Sequence, residues 1–143
     1  MKKLFPVVCL LLILLTGCSS IIDHRIESHT WRMTTVQSVN AEGQIVAHAP
    51  GQIGSPEASE DISLTCTVKD GVLTLNDESN NQTYTGSYKL IDSVHESSNY
   101  EVVIGEAKGM AVVSSTTYLD DSTVPALIIR IGDYALNFAP DTI

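Results

Sequence analysis

Ile62-Ser63-Leu64-Thr65-Cys66-Thr67-Val68-Lys69-Asp70-Gly71-Val72-Leu73-Thr74-Leu75-Asn76 is the stretch that decides the fold. Ile62, Leu64, Cys66 and Val68 alternate with Ser63, Thr65, Thr67 and Lys69. That period of two puts apolar side chains on one face of a strand and polar ones on the other. Asp70-Gly71 supplies the positive φ angles of a two-residue hairpin turn, and Val72 to Asn76 returns as the partner strand. The segment predicts an antiparallel hairpin with one buried face. Cys66 lies on that face, where a thiol is a small buried apolar group rather than a nucleophile.

The same pattern continues in both directions. Upstream, Trp31 and Met33 alternate with Arg32 and Thr34, and Asn40 to Gly43 reads as a turn into a second strand, Gln44 to Ala49. Pro50 to Glu60, with two prolines and two glycines, is the longest loop. Downstream, Asp77 to Asn81 is a turn, and Tyr84, Gly86, Tyr88 and Leu90 alternate with Thr85, Ser87 and Lys89. Gly86 marks a bend or a bulge. Tyr100, Val102 and Ile104 form a further strand, Gly105 to Gly109 turns the chain into Met110 to Tyr118, and Asp120 to Pro125 breaks it again. Ala126 to Ile131, the Gly132-Asp133 turn and Tyr134, Leu136 and Phe138 close a series of about nine strands. No segment after residue 30 carries a sustained helical period, and parallel strands would need such crossovers. The expected fold is all-β: a single small antiparallel up-and-down β-barrel or curled sandwich of about eight to nine strands, since closure leaves no exposed edge.

The N-terminal part reads differently. Lys2 and Lys3 precede an apolar run from Leu4 to Leu15, too short to span a bilayer, which needs about 20 residues. Leu15-Thr16-Gly17-Cys18 follows and resembles the lipobox of bacterial lipoproteins. The resemblance implies cleavage between Gly17 and Cys18 and a diacylglyceryl group on the Cys18 thiol. Two acyl chains hold a protein stably where one does so only marginally. The expected organisation is a signal peptide over 1–17, the lipidated Cys18 and a tether over 18–28, and one β domain over 29–143. Residues His24 to His29 could alternatively form a helical turn. The expected location is the extracytoplasmic face of a membrane.

The β region resembles the small lipocalin-like domains of bacterial lipoproteins. The residues that carry this are the lipobox, Trp31 in the first strand, the hairpin Thr67 to Leu75 and the repetition of strand and turn, over roughly residues 29 to 139. The resemblance implies an up-and-down barrel with an interior that takes a small apolar ligand.

Composition and motifs limit the chemistry. Loss of residues 1–17 removes two lysines and leaves six Lys and Arg against seventeen Asp and Glu, a net charge of −11. The cations Arg25, Arg32, Lys69, Lys89, Lys108 and Arg130 are scattered, so a nucleic-acid footprint is absent. His24, His29, His48 and His95 show no metal-ligand spacing. Asp77-x-Ser79-x-Asn81 starts like a calcium loop, but Gln82 and Tyr88 stand where Gly and Glu are required. The acidic pairs Glu60-Asp61 and Asp120-Asp121 read as solvated turns. There is no Gly-x-Ser-x-Gly, and Gly105-x-x-x-Gly109 lacks the Lys of a phosphate loop. Trp31, Met33, Tyr84, Tyr88, Tyr100, Met110, Tyr134 and Phe138 either line a ligand cavity or fill a core, because a barrel of about eight strands is just wide enough for one or the other. The expected function is a membrane-anchored, non-enzymatic lipocalin-like module without a cofactor that binds a small apolar ligand. The alternative is a protein-interaction or inhibitor module of the cell envelope, with Pro50 to Glu60 as its contact.

Overall fold

The computed structural model describes residues 22–39, 42–43, 45–48 and 63–141. A 3-10 turn at Ile26–Ser28 precedes nine strands: β1 (Trp31–Val39), β2 (Ile45–His48), β3 (Leu64–Lys69), β4 (Val72–Asp77), β5 (Gln82–Val94), β6 (Ser97–Ile104), β7 (Ala107–Thr117), β8 (Thr123–Ile131) and β9 (Tyr134–Pro140). From β3 onward each strand pairs antiparallel with the next. β9 then pairs with β1, from Ser38↔Tyr134 to Trp31↔Pro140, and β1 pairs with β3 at Trp31↔Cys66 and Arg32↔Thr65. The sheet therefore closes on itself as an eight-stranded antiparallel barrel of lipocalin-like shape. β2 pairs with β1 from Val36↔His48 to Val39↔Ile45, farther along the edge that β3 uses. The all-β up-and-down fold expected from the sequence is the fold of the molecule.

Alternation of strand direction sorts the connections onto two ends. The lower end carries the N-terminal segment, Asp141 and the β3–β4, β5–β6 and β7–β8 turns. The upper end carries the β4–β5, β6–β7 and β8–β9 turns. At the β3–β4 turn Asp70 has φ 52° and Gly71 φ 82°, the two left-handed residues that let a two-residue hairpin follow the strand twist. The Asp77 cluster is a turn as well. One carboxylate oxygen accepts the backbone N–H groups of Ser79 and Asn80 at 3.0 and 3.1 Å, and the other accepts Asn80 Nδ2 at 2.9 Å.

Gly86 is not the bulge. β5 pairs with β4 over Gln82 to Ser87 and with β6 from Gly86 onward, and its register shift lies between Leu90 and Asp92. Gly86 sits where β5 passes from one neighbour to the other, and a Cβ there would stand 2.2 Å from the Val103 carbonyl oxygen. Gly109 has the same relation to Arg130 O, at 2.1 Å. Both positions let strands coil tightly enough to close a small ring.

Among the described residues seventeen apolar side chains fill the interior, including Trp31, Leu73, Val102, Val113, Leu127 and Ile129, all fully buried and drawn from five strands. At about 1.5–3 kcal/mol for each large apolar side chain removed from water, this is the main term holding the ring together.

Candidate functional site

At the lower end, the chain enters the barrel through a turn that belongs to the fold. Ile26 is fully buried. Its N–H donates to Tyr100 Oη at 3.2 Å, and its carbonyl accepts Trp31 Nε1–H at 2.8 Å. The indole that opens β1 thus holds the turn that precedes it, and Ile26 closes this end of the interior. His24 Nε2 lies 2.7 Å from Ser115 Oγ, tying the segment to β7. Asp23 is paired with Arg25 at 2.6 Å, and that hydrogen bond holds its carboxyl well below the usual carboxylate range. Burial, and then the neighbouring Glu27, pushes the Tyr88 hydroxyl up. The expected tether over 18–28 is therefore too long. An isoleucine in that stretch gains more from the barrel than from water, and the alternative helical turn within His24 to His29 is the one that forms.

The eight residues expected to line a cavity or fill a core separate into three groups. Trp31, Met33, Tyr100 and Phe138 are buried in the core, and Tyr88 packs against it with its ring edge-to-face on Tyr100 at 6.1 Å. Tyr84 and Tyr134 are about half exposed and belong to the upper end. Tyr84 stands opposite Leu75, and Tyr134 opposite Ile131 and Ser38. Met110 departs from the expectation. It pairs with Glu101 and Arg130 on the outer wall and is half exposed, while Ala111 beside it is fully buried. Apolar residues on both faces of β7 hide the phase of that strand from the sequence. Gly17, Cys18 and the loop Pro50 to Glu60 lie outside the described residues.

A cleft of about 320 Å³ opens at the upper end between β1 and the β8–β9 turn, lined by Gln37, Ser38, Arg130, Gly132, Asp133, Tyr134 and Ala135. A smaller groove of about 180 Å³ runs along the outer wall of β1, β7, β8 and β9. Cys66 is fully buried, and burial pushes its thiol up to about 12, which keeps it protonated and inert at neutral pH.

The His24–Ser115 contact has the separation of a nucleophile and its base. No second partner among the described residues holds this imidazole, and the contact serves to dock the turn. Nothing local in the sequence signals it, because 91 residues separate the two side chains. Among the described residues no three His, Cys, Asp or Glu side chains gather to hold a metal ion, and no helix is long and apolar enough to cross a membrane. Comparison with protein-family models, curated proteins and solved structures gave no match to this chain, so its chemistry rests on its own geometry.

Proposed function

We propose that this chain is a membrane-anchored lipoprotein whose non-enzymatic, lipocalin-like β domain takes a small apolar ligand at its upper end. One observation carries the ligand reading. Ile26 closes the lower end and large side chains fill the middle, while the half-exposed Tyr134 forms an aromatic wall of the upper cleft. Aromatic walls with a few polar groups, here Gln37, Ser38 and Arg130, are the usual composition of a small-molecule site. The lipobox at Leu15 to Cys18 supports the anchor.

Two measurements test this reading. Intact mass and metabolic acyl labelling of the wild type beside Cys18→Ala report on the anchor, which requires a lipid mass that depends on Cys18. Titration of the barrel domain with hydrophobic fluorophores reports on the ligand. Saturable binding that weakens about tenfold or more in Tyr134→Ser fits the loss of one well-packed aromatic contact. Absence of saturable binding sinks the ligand reading. It would favour the second reading, a protein-interaction module, for which the filled barrel interior already speaks.

A further inference from the structure

We infer that the lower end of the barrel rests in the interfacial zone of a zwitterionic bilayer, with the β5–β6 and β7–β8 hairpin tips inserted among the headgroups. The inference rests on the Cys18 anchor and adds an orientation and a second membrane contact to it.

Among the described residues nine large apolar side chains are exposed, and six of them, more than an even spread would give, stand at the lower end. Val72 follows the β3–β4 turn, Leu90, Ile91 and Val94 belong to the β5–β6 hairpin, and Tyr118 and Leu119 to the β7–β8 connection. The two tips are neighbours. Ser98 pairs with Val113, so the β5–β6 turn lies beside the last residues of β7, which lead directly into Tyr118. Leu119 is completely exposed, yet its turn is ordered. Tyr118 N–H donates to Ser122 O at 2.8 Å, Asp121 N–H to Tyr118 O at 3.0 Å, and Ser122 N–H to the Asp120 carboxylate at 3.0 Å. A leucine held on a rigid tip in water has no packing role in the monomer, and a tyrosine next to it is the residue type that favours the membrane–water boundary.

The length of chain between lipid and fold selects the occupant. His24 is docked on Ser115 at this same end, and only three residues lie between Cys18 and Ile22, four residue steps along the chain. Fully extended, four such steps reach about 14 Å. An acylated Cys18 therefore holds the lower end, and no other, against the membrane. Apolar groups at such a boundary sink about 5–10 Å into the headgroup region. Charge selects the lipid: Asp92, Glu96, Asp120 and Asp121 sit on the two tips and would be repelled by an anionic surface.

The test uses the acylated full-length mature protein reconstituted into phosphatidylcholine bilayers that carry a nitroxide near the headgroup. Leu119→Cys, Val94→Cys and, at the opposite end, Glu106→Cys are each labelled with an environment-sensitive fluorophore. Cys66 is buried and Cys18 is acylated, so neither competes for the label. The dye at 119 and at 94 loses most of its emission to the nitroxide, and the dye at 106 keeps it. Equal solvent exposure at all three sites overturns the inference while leaving the anchor in place, as does quenching confined to bilayers of anionic lipid. Rapid disulfide pairing of Leu119→Cys between two copies would assign the tips to self-association and also overturn it. Intact mass without the acyl group removes the anchor first, and that failure is read before any fluorescence is measured.

Discussion

A single methyl group measures how tightly this barrel is wound. At Gly109 it would stand 2.1 Å from a backbone carbonyl oxygen that belongs to the adjacent strand and cannot swing aside. Gly109→Ala therefore costs about 1–3 kcal/mol, the usual cost of overpacking, read as a lower urea midpoint at unchanged slope. Gly86→Ala behaves the same way. Cys66 gives a pH signature. Its thiol is held protonated up to about pH 12 in the barrel but ionises near 8.5 in the unfolded chain, so the unfolded state binds fewer protons between those values. Stability attributable to this group is complete below pH 8.5 and falls as pH rises toward 12, by at most about 1.4 kcal/mol per pH unit. Urea titrations at pH 8 and pH 10 should show a larger loss in the wild type than in Cys66→Ala. Cys66 was legible in the sequence because its strand alternates cleanly. Met110 was not, because Ala111, Val112 and Val113 beside it are apolar on both faces.

Among the elements, the turn Ile26–Ser28 has a weight out of proportion to its three residues. Ile26→Ala removes buried hydrocarbon and opens the lower end, for an expected loss of about 2–5 kcal/mol in chemical denaturation. Tyr100→Phe removes only the acceptor of the Ile26 N–H, and costs about 1 kcal/mol. Because Trp31 and Tyr100 grip the same residue, Trp31→Phe and Tyr100→Phe together should depart from additivity in a double-mutant cycle. Hairpins were readable where chemistry is local: Asp70-Gly71 and Gly132-Asp133 announce their own turns. The entry turn was not readable as part of the fold, since apart from Trp31 its partners lie on β6 and β7, far along the chain, and ten mixed residues carry no period. β5 was predicted too short for a related reason. Its register shift at Leu90/Asp92 breaks the alternation that would have extended it to Val94.

For the whole molecule, the sequence left barrel and sandwich both open, because closure depends on one pairing between the two most distant strands. β1 meets β9 along Trp31↔Pro140 to Ser38↔Tyr134, and the seam is reinforced outside by Arg32, which grips the Asp141 carboxylate with two hydrogen bonds of 3.0 and 3.1 Å. A chain ended at Asp133 keeps eight of its nine strands but exposes two long edges. It should lose its cooperative unfolding transition and aggregate, as followed by circular dichroism and light scattering. The upper-end site was legible only in part: Tyr134 stood out as an aromatic, whereas Gln37, Ser38 and Arg130 join it only once the ring is closed. The same seam sets a timetable. Nothing made before residue 134 can complete the ring, so a chain delivered N-terminus first must travel its full length as an open thread. Under the proposed export of this chain, threading across a membrane gains from that delay, and the last strand to arrive is the latch.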